Sequence, residues 1–306
     1  MKDIDLSVIV LIGAKAFGFE RFLKSFLATQ PTEKIEIIFV YPEGFKLSFN
    51  QDGRFASVAH LAYGKSDFFK VIKQAIENAK ADYVLFQENH TVLQVNIIDT
   101  FLRYIQTDQY ACIGSLVYPG DQMSFTDWVA YLGHYSGWGP GTKGGDDHQN
   151  VPGHNCVYKK SALLDLGEEL DIYLYADTII QWKFLEKGLK LLLIDEVFLI
   201  HDDKMTFREL LTENFWYGWL FAYARRRSNN WNLFKRLLYS ILVFAKPLIR
   251  FKLLFKKPLK NYPIARSRIP AILAAILLNY YWNALGESCG VLFSDEMAVE
   301  KYSEAH

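Results

Sequence analysis

Apolar and polar positions alternate along this chain in blocks of two kinds. Residues 6–12 are a β-branched apolar run closed by Gly13 and Gly18, which predicts a buried strand. Phe19, Phe22, Leu23, Phe26 and Leu27 then recur at three- and four-residue steps and predict a helix over 20–29. A second apolar run, 35–41, ends at Pro42 and Gly44, and 56–62 reads as a third, short strand. Phe69, Ile72, Lys73 and Ile76 give helical spacing to 66–79. A strand from Tyr83, a helix over 95–105 and a strand over 110–117 follow. Strand and helix alternating through short connections predict an α/β domain, with a mostly parallel, doubly wound sheet flanked by helices.

The rhythm breaks between 119 and 153. This stretch holds eight glycines, Trp128, Tyr131, Tyr135, Trp138 and the polar string Gly144-Gly-Asp-Asp-His148. A loop of that length in a compact domain is usually functional or disordered. Its aromatic rings suit the C–H faces of a sugar, and serve equally to anchor the loop to the body. Order resumes over 155–163. Ile179, Ile180, Trp182, Phe184 and Leu185 predict a mostly buried helix over 176–187, stopped by Gly188, with Asp177 in its first turn, where the helix dipole favours an anion. A strand over 189–200 runs into His201-Asp202-Asp203, and an aromatic-rich helix covers 207–227. The polar stretch 227–232 marks a boundary, giving a domain over 1–228 and a basic, apolar helical region over 229–306. In that region Lys235, Arg236, Lys246, Arg250 and Lys252 punctuate 233–255, and Pro247 predicts a kink. The most hydrophobic segment, 269–285, has Pro270 in its first turn and Asn279 and Asn283 inside. At 17 residues it is marginal for crossing a bilayer, so an in-plane or re-entrant helix is the expectation. A soluble cap or a homo-oligomer interface is the alternative.

Composition changes the picture in two ways. With 51% apolar and 16% aromatic residues among 306, the chain has ample material for a core and is no disordered segment. The formal net charge of zero hides an asymmetry. Residues 214–286 carry 13 Lys and Arg and no Asp or Glu, leaving 21 basic against 34 acidic residues elsewhere. Cations between long aliphatic runs are the pattern of a surface that meets anionic lipid. Nucleic acid is disfavoured, because the cations do not alternate with polar or glycine-rich sequence. Cys112, Cys156 and Cys289 are few and widely spaced, with neither zinc spacing nor a disulfide framework, which points to a reducing compartment. The opening Met-Lys-Asp-Ile-Asp-Leu has no signal-peptide pattern. The expected location is cytoplasmic, peripheral to the cytoplasmic face of a membrane.

The chemistry concentrates where the fourth strand ends, at Asp82-Tyr-Val-Leu-Phe-Gln-Glu88-Asn89-His90-Thr91. A buried run passes directly into a carboxylate and an imidazole. If the extension continues, Glu88 and His90 point the same way, at the carboxyl end of a parallel strand, where open α/β sheets bind ligands. A divalent cation or a sugar hydroxyl suits that pair. His60 and His134 have no evident partner in the sequence, and His60, in an apolar strand, reads as a core histidine.

The strand order, the Glu88-Asn89-His90 tip, the Gly153-His-Asn155-Cys-Val-Tyr-Lys-Lys160 segment, the Asp177 helix and the late His201 together resemble the family 2 glycosyltransferases of the GT-A fold over about residues 5–227. The resemblance implies transfer of a sugar from a nucleotide-sugar donor to a glycan, polysaccharide or lipid-linked acceptor, with inversion. In that family the strand tip carries Asp-x-Asp, which binds the ribose and a metal bridging the diphosphate. Glu88 matches the first acid and His90 the last, Asn89 is neutral, and a Glu-Asp-His variant is similar to branches of the family. The implied metal ligands are Glu88, His90 and His201, and the implied ion is Mn²⁺ or Mg²⁺; imidazole suits Mn²⁺, whereas Mg²⁺ prefers oxygen. The implied catalytic base is Asp177. The implied donor contacts are Ile12 and Gly13 in the base pocket at Leu11-Ile12-Gly13-Ala14, Lys65, Ser66 and Asp67 in the following turn, and Glu88 and Asn89 at the tip. The neutral Asn89, the unpaired Asp177 and the altered first-strand loop leave a second reading open, a catalytically inactive relative that binds a glycan or scaffolds other enzymes at a membrane.

Overall fold

Every residue of β1 (Leu6–Leu11) is buried, because the strand lies at the middle of a sheet covered on both faces. Its alternation divides the molecule. Leu6, Val8 and Val10 point into one core, Ile9 and Leu11 into the other. The computed structural model describes residues 4–13, 18–30, 34–47, 49, 53–202, 204–254, 259 and 262–305. Ala14 of the expected base pocket, Asp203 and the last residue of the 233–255 segment lie outside them.

The remaining strands are β2 (Ile35–Pro42), β3 (Ser57–Tyr63), β4 (Tyr83–Glu88), β5 (Thr91–Leu93), β6 (Cys112–Pro119), β7 (Cys156–Lys159) and β8 (Leu191–His201). They form one eight-stranded sheet in the order β3-β2-β1-β4-β7-β6-β8-β5. β1 pairs in parallel with β2 and β4, β2 with β3, and β6 with β8. β7 runs antiparallel to both β4 and β6, and β5 runs antiparallel to β8. Six strands therefore share one direction and two are reversed, so the sheet is mostly parallel but not wholly so. The reversed pair matters for the site. It brings the entry ends of β5 and β7 to the edge where the other six strands exit.

The helices are α1 (Phe19–Ala28), α2 (Phe68–Asn78), α3 (Ile97–Ile105), α4 (Phe125–His134), α5 (Lys160–Leu164), α6 (Leu170–Tyr173), α7 (Asp177–Glu186), α8 (Phe207–Ser228), α9 (Leu233–Leu242), α10 (Lys246–Leu254), α11 (Ile269–Leu292) and α12 (Glu296–Ala305). Phe22 and Phe26 of α1, Phe101 of α3 and Trp128 of α4 fill one core. Phe68 to Ile76 of α2, Ile179 to Phe184 of α7, and Leu220 of α8 fill the other. The architecture is the expected α/β class, with helices on both faces of the sheet and a helical C-terminal segment.

Three expectations are corrected. The 119–153 stretch is not a bare loop, since it contains α4. Ser124 accepts from the Asp127 N–H and Asp127 accepts from the Ser124 N–H, a reciprocal cap that starts this helix despite the surrounding glycines. Its Trp128 and Tyr131 are buried and act as anchors. The helix expected over 269–285 continues to Leu292. Gly286 does not stop it, because Gly286 and Gly290 are notches that receive the α8 backbone: a Cβ at either would strike the carbonyl of Phe215 or Trp219. His60 is exposed on β3, stacked against Phe39, and is no core histidine.

Candidate functional site

The parallel register sets Leu11 beside Glu88 at the exit of β1 and β4. β8 exits at His201, which pairs with Thr91 at the entry of β5. β7 enters just after the short turn Gly153–Asn155. Glu88, His90, His154, Asn155 and His201 are therefore delivered to one edge by four different strands. The chain turns at Asn89 and His90 instead of extending, yet Glu88 and His90 still converge.

The Nε2 atoms of His90 and His201 are 2.9 Å apart, and each lies 3.5 Å from Glu88 Oε2. Donor atoms of these three side chains all fall within 4.8 Å of one another. Ligands about 2.1 Å from one ion lie roughly 3.0 Å apart at octahedral angles and roughly 3.4 Å apart at tetrahedral ones. The observed triangle matches that spacing, and the mixed nitrogen and oxygen set fits a divalent transition ion better than Mg²⁺. The triad expected from sequence is thus assembled. Tyr135 of the glycine-rich stretch lies against the His201 ring, centroids 4.3 Å apart, so one of its aromatics does reach the site.

Two residues not singled out from sequence complete the arrangement. His154 lies between two acids, with Nδ1 3.2 Å from Glu88 Oε1 and Nε2 2.9 Å from Asp177 Oδ2. Asn155 donates from Nδ2 to Glu88 Oε2 at 3.1 Å, and its Oδ1 accepts from Gln87 Nε2 at 2.7 Å. Burial alone pushes the Glu88 carboxyl up. The charge of His90 and hydrogen bonds from His154 and His201 outweigh it, so Glu88 is held well below the usual carboxylate range. Burial likewise pushes His154 down, but Asp177 and then Glu88 raise it well above an ordinary histidine. Gly153 makes room for this contact, since a Cβ there would fall on the Asp177 carboxylate. No periodicity marks His154 or Asn155. Their signal is membership of the 153–160 segment that carries the family resemblance, which gave neither of them a role.

The other expected donor contacts are less uniform. Ile12 is fully buried in the core and its carbonyl accepts from the Tyr63 hydroxyl at 3.2 Å, so its side chain is packing and not pocket wall. The Gly13 N–H reaches Asn89 Oδ1 at 3.4 Å, and Asn89 is buried, tying the first strand to the tip. Lys65 is exposed and paired with Glu304 at 3.1 Å. Asp67 Oδ1 is buried with no hydrogen-bond partner among the described residues, an acceptor left open on the same rim. His134 does have a partner, Asn214 Oδ1 at 2.9 Å.

The cavity beside the triad, lined among others by Asp127, His134, Tyr135 and Glu213, has a volume of about 50 Å³. That holds an ion or a water, whereas ligand pockets run to about 300–1,000 Å³. α12 packs close to the acids of the site. Its Tyr302 is buried against Phe69, ring centroids 5.8 Å apart, and lies within electrostatic reach of Glu88, Asp177 and Glu213. Burial, then Glu213, pushes the Tyr302 hydroxyl well up, so it stays protonated.

No family model matches this chain, and no curated protein matches it. Among solved structures it is similar to S. aureus TarS 1-349, at 14% identity and a TM-score of 0.46, covering 78% of this chain and 69% of that one. The same protein in complex with UDP gives 16% identity, the same TM-score and the same coverage. At that TM-score the likeness carries no weight for the chemistry, which rests on the site's own geometry.

Proposed function

We propose that this chain is a glycosyltransferase of the hexosyltransferase type, moving a sugar from a nucleotide-sugar donor to a lipid-linked or polysaccharide acceptor with inversion. The observation that carries the reading is the pairing of a cation-ligand triad with a carboxylate base through one imidazole, at the exit edge of a mostly parallel sheet. Glu88, His90 and His201 would hold a divalent cation, Mn²⁺ in preference to Mg²⁺, which supplies positive charge to a departing diphosphate. Glu-Asn-His thus stands in for Asp-x-Asp. Asp177 takes the proton of the acceptor hydroxyl as its oxygen bonds to the anomeric carbon and the bond from that carbon to the diphosphate oxygen breaks. His154 holds Asp177 in place and keeps its second oxygen directed at the acceptor side. Asn155 fixes the Glu88 carboxylate. Gly13, Lys65, Asp67 and Asn89 border the space for the nucleotide. The three cysteines are free, which supports a reducing, cytoplasmic location.

The test is product formation from a panel of UDP- and GDP-sugars with Mn²⁺, in the wild type and in Asp177→Asn. The reading predicts turnover that falls by about 100-fold or more in the variant while nucleotide affinity stays within twofold. Turnover unchanged by the substitution excludes Asp177 as the base.

One observation favours a second reading, a catalytically silent glycan-binding or scaffold protein. The space beside the triad is small, about 50 Å³. Under that reading nucleotides and sugar nucleotides give no binding heat at millimolar concentration, while oligosaccharides do.

A further inference from the structure

Nineteen large apolar side chains are exposed among the described residues, and thirteen of them lie between residues 233 and 285. They are not scattered. On α9, Phe234 is 74% and Ile241 72% exposed, with Leu233 and Leu237 beside them. On α10, Leu248 and Ile249 are exposed, and on α11 Leu278, Trp282 and Leu285 recur at three- and four-residue steps along one stripe. A soluble protein seldom leaves so continuous an apolar surface uncovered.

The inward side of the same helices mixes core residues such as Ile272, Ile276 and Leu254 with a set of buried polar contacts. Tyr239 donates to Glu287 at 2.5 Å and Lys246 pairs with both Glu287 oxygens at 2.5 and 2.8 Å. Arg236 donates to the carbonyls of Val291 and Leu292, and Arg250 to Asn283 Oδ1. Only Ser240 of α9 is buried. On α9 the usual arrangement of a surface helix, apolar inward and polar outward, is reversed, and α10 and α11 carry exposed apolar residues on their outer faces as well. Water does not favour that orientation; hydrocarbon does.

Charge decides which apolar partner fits. Residues 214–286 hold 13 cations and no acid, and Lys235, Lys252, Arg266 and Arg268 are exposed around the apolar face. A second copy would set this positive rim against itself, whereas anionic headgroups neutralise it. Length alone would let the helical stretch Arg266–Leu292 cross a bilayer. Yet Asn279, Asn283 and Glu287 on its inner side are buried, and Asn283 Nδ2 donates to the Asn214 carbonyl of α8 at 3.0 Å. Leaving α8 to span would carry those polar groups into hydrocarbon.

We propose that the outer faces of α9, α10 and α11 together seat on an anionic lipid bilayer, lying in its plane without crossing it. Trp282, exposed on the α11 stripe, has the amphipathic ring that a lipid interface favours. This inference does not rest on glycosyl transfer, and its test reads no activity. Vesicles of phosphatidylcholine alone, and with phosphatidylserine, are floated with the full chain, the Phe234→Glu/Ile241→Glu variant and the Lys235→Ala/Lys252→Ala variant, each checked for mass in solution and for unchanged circular dichroism. All four substituted side chains are exposed, so neither variant disturbs the core. The wild type is expected to float with the anionic vesicles. The acidic variant is expected to lose at least about tenfold in bound fraction, and the lysine variant to lose the preference for phosphatidylserine at low salt. A wild type that stays at the bottom with both vesicles overturns the proposal. So does a stable dimer that the acidic variant splits without any change in flotation, and so does equal flotation on neutral and anionic vesicles.

Discussion

At His154 two carboxylates meet one ring, and the consequences are local and measurable. Glu88 is buried and Asp177 largely so, and the imidazole is hydrogen-bonded to both. His154→Ala leaves two acids facing each other without the cation between them. The expected loss is about 3–5 kcal/mol of stability, read as a lowered urea midpoint. Glu36 offers an independent check away from the site. Burial pushes its carboxyl up, but the Ser7 hydroxyl, the Lys80 N–H, the Ser57 hydroxyl and the Lys80 ammonium outweigh it, and its folded pKa lies below the ordinary 4.5. A carboxyl lowered on folding stabilises fully above its unfolded value, and that contribution is lost as pH falls through the folded one. Glu36→Gln is therefore expected to cost about 1–3 kcal/mol at pH 7, with the gap to wild type closing below pH 4.5. A gap independent of pH would show that the charge contributes nothing. Glu88, His90 and His201 were legible in the sequence because a strand exit and a family resemblance both mark them. His154 and Asn155 were not, because their roles arise from β7 running backwards into the site, and no residue spacing reports strand direction.

Among the elements, those with strict periodicity were readable and those set by close approach were not. β1, β2, β4, α1 and α2 follow their apolar patterns to within a few residues. α11 runs seven residues past its expected end because glycines that look like a stop are in fact contact points with α8. Gly286→Ala tests that explanation. Its new methyl group meets the Phe215 carbonyl, so the two helices must separate, at an expected cost of about 1–3 kcal/mol; a variant as stable as the wild type would contradict the notch. α12 poses a different question. It is held near the site by Tyr302 on Phe69, by the exposed Lys65–Glu304 pair and by Tyr175 donating to Asp295 at 2.6 Å. If these ties keep about one site in ten open, removing residues 296–306 tightens UDP binding by about tenfold. Fluorescence competition with a labelled nucleotide measures this, and an unchanged affinity would mean that α12 does not obstruct the donor.

On the scale of the whole molecule, the candidate site and the apolar face share a support. α8 carries Asn214, which receives His134 near the cavity on one side and Asn283 of α11 on the other. α11 also meets α4, where the Tyr280 hydroxyl donates to the Gly133 carbonyl. The charge asymmetry visible in the sequence marks the region that forms this layer, but not its buried polar contacts, which depend on where Glu287 and Asn283 point. The central claim is that Glu88, His90 and His201 act together as one cation site that serves a nucleotide diphosphate. Calorimetric titration of UDP and GDP into the wild type and His201→Ala, each with Mn²⁺ and with a chelator, tests it most directly. The account predicts one nucleotide per chain bound in the presence of Mn²⁺, weakened at least about tenfold by the chelator and to the same degree by His201→Ala. Nucleotide binding that is indifferent to both the ion and the substitution would contradict it.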